Sequence, residues 1–361
     1  MFGFEHVKKK KRFVRLTSLL LVSAISLTFT ACGSGSEADP ASTEQAASGE
    51  NVVFRFQGND ILKGEVYLYA ESVIEDYVKT YGPDIWSMNV LMPEGQEQSL
   101  RALTRKDVIE NIVKVKVLVA KANDYGVSLS TEDKKKIEAD TEAFWKNLTD
   151  IQIEDTELSR DQVKVCMEDN VLAAKVYAVI MEQAGIEISD ERARETTFYD
   201  LYFPFYTENS DGVVQPMDEA AKKEQYDKAV QAYDSLISPL DTGTERDPAV
   251  IAAYYGLMDT MPKTMTPEEV RSEYGKEVAD KIYALEDGAT SLVTETEYGY
   301  HLFCMKALTD RVATDKRKAE MEREEQNKYF SKLYTQWLKE IDPNYHYEES
   351  VNFDVYDQIT F

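Results

Sequence analysis

Read for apolar spacing, the chain divides into a helical first half and a mixed second half. Val52-Val53-Phe54-Arg55-Phe56 predicts a short strand, and Gln57-Gly58-Asn59-Asp60 a turn into a helix that runs through Tyr81 and ends at Gly82-Pro83. Met92 to Gln98 is polar and turn-rich. Thr104 with Asp107 then predicts a capping box ahead of a stripe of Val108, Ile112, Val115, Val119 and Ala122, which stops at Gly126. Ser130 with Asp133 opens the next helix, where Ile137, Phe144, Trp145 and Leu148 are apolar. Ser159 with Gln162 opens a third, whose stripe of Val163, Met167, Val171, Ala174, Ala178 and Met181 stops at Gly185. Two of these breaks share a layout, Gly126 to Glu132 and Gly185 to Glu191. Each has a helix-ending glycine, two apolar residues spaced by one, an N-cap serine and an acidic first turn.

Beyond Arg192 the pattern changes. Thr196 to Tyr206 is aromatic and β-prone, a candidate central strand, followed by a polar loop over Thr207 to Val214. A helix is expected from about Asp218 to Ile237, with Tyr226, Val230, Tyr233 and Ile237 on one face, and a second over Pro248 to Tyr255 after the Thr242-Gly243-Thr244 break. Lys276 to Leu285 reads as helix closed by Gly288, and Ser291 to Lys306 as two strands joined through Tyr298-Gly299. This order predicts a small antiparallel sheet flanked by helices, so the fold class is α+β. Asp315 to Lys328 is a mixed-charge, solvated helix face, continued by a stripe of Phe330, Leu333, Tyr334, Trp337, Leu338 and Ile341. Val351, Phe353 and Val355 alternate like a strand able to pair with Val52 to Phe56.

Charge changes the picture at the N-terminus. The 361 residues carry a formal charge of −25, yet residues 1–31 hold six of the 41 basic side chains and one of the 66 acidic ones, leaving 35 against 65 and a balance of −30. Such a surface repels phosphate backbones, so no nucleic-acid partner is expected. With three His and three Cys, metal clusters and disulfide scaffolds are excluded as well, and neither a metal nor a cofactor is expected. The basic run Lys8 to Arg15 and the apolar Leu16 to Ala31 read as an export signal, since sixteen residues rich in Ser and Thr are short for a span of about 20. Phe29-Thr30-Ala31-Cys32 resembles the lipobox of bacterial lipoproteins, with Phe where Leu is usual. That resemblance implies a diacylated Cys32 as mature N-terminus and a location on the outer face of the cytoplasmic membrane. An ordinary signal peptide with an incidental Cys is the alternative. Gly33 to Gly49, rich in Ser, Gly, Ala and Glu, fits a flexible tether. Cys166 and Cys304 lie in apolar-periodic segments and read as buried small hydrophobes.

Together with the opening Arg55-Phe56-Gln57-Gly58-Asn59-Asp60-Ile61-Leu62-Lys63-Gly64-Glu65-Val66, the repeated helix breaks resemble the helical chaperone domain of extracytoplasmic foldases of the SurA and PrsA type, over about residues 52–192. Leu285-Glu286-Asp287-Gly288-Ala289-Thr290-Ser291, then Thr296-Glu297-Tyr298-Gly299-Tyr300-His301-Leu302, resembles the end of a parvulin domain, in which "L-x-x-G-x-x-S" precedes "T-x-x-G-[aromatic]-H-[I/L]". The resemblance implies a peptidyl-prolyl cis/trans isomerase pocket with His301 and Thr296 in place. The family's first-strand His falls on Asp200, its pocket Met on Tyr274 and its pocket Phe on Val278, so three of the four pocket positions are changed and His301 is the fourth; Tyr283 stands where the family places a further Phe, outside those four. Asp200 and His301 are the candidate catalytic pair; Tyr202, Tyr274, Val278, Tyr283 and Thr296 are the candidate substrate-binding residues. Read without the resemblance, His301 is a structural histidine, and Asp200, between aromatics, has no fixed orientation. Of the tyrosines at 199, 202, 206, 254, 255, 283, 298 and 300, most are expected in the core and a few on a peptide-binding surface.

The expected organisation is a signal over 1–31, a tether over 32–51, a helical chaperone domain over 52–192, a parvulin-like domain over 193–310, and a C-terminal helix and tail over 311–361 packing back on the chaperone domain. The expected function is a lipid-anchored foldase for unfolded or partly folded secreted proteins, with X-Pro segments as substrates, weak isomerase activity, and a second copy of the chain as a further partner. A non-catalytic holdase with a scaffold parvulin domain is the first alternative. A substrate-binding lipoprotein of a transporter is the second, and it predicts alternating βα units around two lobes.

Overall fold

The computed structural model describes residues 50–92, 95–208, 212–238, 247–258 and 261–361. The expected export signal, Cys32, most of the tether and the break at 242–244 lie outside the described residues. Two compact units are present. One combines the described residues up to Ile186 with Gln326–Phe361, and the other is Glu187–Glu325.

In the first unit β1 (Val52–Phe56) is followed by a turn at Gln57 and Gly58, whose φ angles of 51° and 72° are those of a two-residue hairpin turn. The chain therefore folds back as β2 (Asn59–Leu62), antiparallel to β1, where the sequence pattern led directly into a helix. Helix α1 (Lys63–Tyr81) starts only then and ends at Gly82 as expected. A 3-10 turn over Pro83–Ser87 leads to the exposed hairpin of β3 (Asn89–Leu91) and β4 (Glu97–Ser99). Helix α2 (Leu100–Ala120) begins straight after β4, a turn earlier than Thr104 indicated; the Thr104 hydroxyl donates back to the Leu100 carbonyl at 2.9 Å and caps nothing. Helices α3 (Thr131–Trp145) and α5 (Arg160–Ala184) open on the expected boxes of Ser130 with Asp133 and Ser159 with Gln162. Between them lies α4 (Asp150–Thr156), unforeseen, opened by a third box of Thr149 with Gln152. A half-buried ion triad ties three helices together: Lys116 of α2 lies 2.7 Å from Glu65 of α1 and 2.8 Å from Asp169 of α5.

The second unit begins with α6 (Asp190–Ala193) and β5 (Thr196–Pro204). There follow the hairpin of β6 (Tyr206–Glu208) and β7 (Val214–Pro216), α7 (Glu219–Ile237), α8 (Pro248–Tyr254), the short β8 (Lys263–Met265) and α9 (Pro267–Tyr283). The last strands are β9 (Thr294–Glu295) and β10 (Gly299–Ala307). Four strands form one antiparallel sheet in the order β8-β5-β10-β9, so the fold is α+β. Strand alternation sorts its faces. Leu201, Phe203, Leu302 and Cys304 pack on α7 and α8 through Ala229, Ala232, Ile251 and Ala252. Phe198, Phe303 and Met305 pack on α9 through Val270, Val278, Ala279 and Ile282. The inner face of α7 thus carries Ala229 and Ala232 with Tyr233 packed beside them as expected, while Tyr226 and Ile237, expected on the same face, are 44% and 51% exposed. Small side chains let the helix approach the sheet. Helix α9 starts a full two turns before Lys276, at the Thr266–Glu269 capping box with Pro267 in the first turn.

Helix α10 (Arg311–Ile341) carries the chain back to the first unit, where Phe330, Tyr334 and Trp337 are buried with Phe54, Ile112, Met167 and Val176 in one core. After it come α11 (Tyr347–Ser350) and α12 (Phe353–Tyr356). The alternation over Val351, Phe353 and Val355 is not a strand. Val351 alone bridges Phe54, the Asn352 amide donates to the Val53 carbonyl at 2.7 Å, and the chain then turns helical because the Asn352 carbonyl accepts from Val355 and Tyr356. Among the described residues no helix is long and apolar enough to cross a membrane.

Candidate functional site

The pairing of β5 with β10 sets Tyr202 opposite His301, and Asp200, two residues along, becomes the diagonal neighbour of His301 on the α9 face. His301 Nδ1 donates to Asp200 Oδ1 at 2.8 Å, and its Nε2 lies 3.2 Å from the Thr296 hydroxyl. The imidazole stacks on Tyr202 at 4.7 Å and on Phe303 at 5.5 Å between ring centres. Side-chain exposures of 5% for Asp200 and 10% for His301 put the pair out of bulk water. The orientation of Asp200, open in the sequence, is therefore inward.

Helix α9 and strand β8 complete the group. The Tyr274 hydroxyl donates to Asp200 Oδ2 at 3.0 Å. Burial, and then the Asp200 charge, push that phenol far above its ordinary range, so it stays a donor under any physiological condition. Tyr274 can turn inward because the next residue, Gly275, takes φ 76° and kinks α9 there, a conformation side chains resist. Lys263 of β8 donates to the Tyr274 oxygen at 2.9 Å, lies 3.6 Å from Asp200 Oδ2, and reaches Glu273 at 2.9 Å. At the other end Tyr202 donates to the Tyr298 carbonyl at 2.8 Å, and the Thr296 hydroxyl, which accepts from the Tyr298 amide at 3.2 Å, has one proton to place between the Gly299 carbonyl at 3.1 Å and His301 Nε2 at 3.2 Å. Gly299 is required by space: a Cβ there would lie 2.4 Å from the Phe203 carbonyl oxygen and 2.6 Å from the Tyr202 ring.

The structure thus brings together Asp200, Tyr202, Tyr274, Thr296 and His301. Val278 lies in the apolar layer between α9 and the sheet, and the Tyr283 ring sits under the Arg194 guanidinium, 5.1 Å away; neither joins the hydrogen-bonded group. Lys263 and Glu273 were missed. The legible signal was the Thr266-Pro267-x-Glu269 box, which marks a helix start and hence a preceding strand. Cys304, on the opposite face, is pushed up to about 12 by burial, and burial also holds the Cys166 thiol well above its ordinary value, so both stay unreactive thiols.

No protein-family model and no curated protein matches the chain. Among solved structures it is similar to a peptidylprolyl isomerase (PrsA) from Bacillus cereus, at 15% identity over 76% of this chain and 100% of that one, with a TM-score of 0.24. It is also similar to the foldase protein PrsA from Streptococcus pneumoniae, at 13% identity over 76% and 100% of the two chains and a TM-score of 0.22. A third, PrsA from Bacillus subtilis, shows 12% identity over 71% and 92%, with a TM-score of 0.20. At such scores whole-chain superposition is poor, and what the chain does has to be read from its own residues.

Proposed function

We propose that the chain is a membrane-anchored extracytoplasmic foldase, whose helical unit holds unfolded secreted proteins and whose second unit is a peptidyl-prolyl cis/trans isomerase of low turnover. The observation that carries the reading is the grouping of Asp200, Tyr274, Thr296 and His301, positions to which the parvulin resemblance gives pocket roles, with Tyr202 stacked on the imidazole beside them. An X-Pro bond rotates over a resonance barrier of about 18–20 kcal/mol. Twisting removes charge separation from the amide, so a water-poor aromatic surface favours the twisted state without any covalent step. Low turnover follows from Tyr274 filling the Met position with its hydroxyl turned onto Asp200, and from both imidazole nitrogens being engaged within the protein. Holding of client chains is supported by apolar residues on and beside the β3–β4 hairpin: Tyr81, Met88 and Leu91 are 67%, 55% and 70% exposed.

The test is a protease-coupled assay of a proline tetrapeptide with residues 33–361, beside His301→Ala. Weak acceleration over the uncatalysed time of tens to hundreds of seconds, lost in the variant, is expected. No acceleration with aggregation of reduced, unfolded clients still suppressed selects the non-catalytic holdase, a second reading favoured by the internally satisfied imidazole. Failure in both assays sinks the foldase reading. The transporter reading falls away, because its alternating βα units are not what the helical unit and the antiparallel sheet contain. Anchoring is tested by Cys32→Ala in the full chain: the protein is expected to move from the membrane fraction to the soluble one, and retention in the membrane would speak against the lipid anchor.

A further inference from the structure

Lys263 is absent from every family-derived role, yet it stands at one end of an ordered set of hydrogen bonds. Its ammonium group can only donate. The Tyr274 oxygen must therefore accept from it at 2.9 Å, which turns the phenolic proton onto Asp200 Oδ2 at 3.0 Å. A carboxylate can only accept, so Asp200 Oδ1 requires the imidazole proton on Nδ1, at 2.8 Å. Nε2 is then left with its lone pair toward the Thr296 hydroxyl at 3.2 Å. From these four contacts we propose that Lys263 is a positioning residue, which through Tyr274 and Asp200 fixes the proton of His301 on Nδ1 and leaves Nε2 as the acceptor. The register of the sheet makes this reach natural: Lys263 pairs with Phe198, which places it diagonally beside Asp200 on the α9 face.

Among the described residues, the charged or titratable side chains in contact with His301 or its partners include Asp200 and Tyr202 of β5 and Glu273 and Tyr274 of α9, and Lys263 is the cation that meets them. Without the Lys263 donor the Tyr274 hydroxyl is no longer turned onto Asp200, and the order of protons that reaches the His301 ring loses its fixed end. Any consequence for isomerisation rests on the reading above, but the proton order is observed on the ring itself, so the two can fail separately.

The test is nitrogen-15 NMR of histidine-labelled residues 33–361, in which His301 and His346 are the two histidines and His346→Gln assigns the spectrum. In the wild-type protein at neutral pH, Nδ1 of His301 is expected to show a protonated shift and Nε2 an unprotonated one. In Lys263→Met the Nε2 resonance is expected to move toward the protonated position, and in Lys263→Arg to return. Backbone amide spectra of the same samples report whether each variant is folded. The proposal is overturned by a wild-type ring carrying its proton on Nε2, by a folded methionine variant with unchanged imidazole shifts, or by an arginine variant that matches the methionine one.

Discussion

Replacing Asp200 with alanine is expected to destabilise residues 187–325 by about 2–6 kcal/mol, because it strands two buried donors and each unpaired donor costs about 1–3 kcal/mol. The donors are His301 Nδ1–H and the Tyr274 hydroxyl, whose acceptors are the two Asp200 oxygens at 2.8 and 3.0 Å. Lys263, 28% exposed in its side chain, can turn toward Glu273 and water and so adds little. Asp200→Asn is expected to lose less, since one amide oxygen can still accept from His301 while the amide nitrogen faces Tyr274. The measurement is amide exchange along β5 and β10 in both variants. Accelerated exchange confined to the second unit, larger in the alanine variant, is the expected pattern. A loss below about 0.5 kcal/mol, the level of an ordinary surface substitution, would show that Asp200 does not hold the site together.

How far this site could be read from sequence follows from which contacts are local. The capping boxes at Ser130 and Ser159 were legible because each closes within four residues. The turn at Gln57-Gly58 was legible, but not the hairpin it closes, since the positive φ at glutamine that a two-residue hairpin turn needs there is uncommon. His301, Thr296 and Gly299 were legible as a motif whose spacing spans one β-turn and its strands. Asp200 could be named but not oriented: its direction depends on the β5–β10 register, which pairs residues a hundred positions apart. Lys263 was invisible for the same reason, on a three-residue strand too short to alternate. The alanine face of α7 shows the remaining failure, in which close helix–sheet packing favours small residues over the larger stripe that periodicity picks out.

Phe330→Ala is expected to lower the stability of the helical unit by about 3–5 kcal/mol, the usual cost of emptying a buried phenylalanine site. Phe330 is fully buried, edge-on to Tyr177 of α5 at 5.1 Å and stacked on Tyr334 at 6.1 Å. Neither neighbour can follow it into the void: Tyr177 is held on the 25-residue α5, and Tyr334 lies one turn along the same helix. The chain offers a clean probe, because its three tryptophans, Trp86, Trp145 and Trp337, all belong to this unit. Denaturant unfolding followed by tryptophan fluorescence should therefore shift to lower midpoint in Phe330→Ala with its slope unchanged. Val312→Ala, at an 83% exposed position on the same helix, is the control and should move the midpoint hardly at all. If the two variants behaved alike, the last turns of α10 would be an appendage; the expected gap makes them part of the core that the first 186 residues cannot close alone.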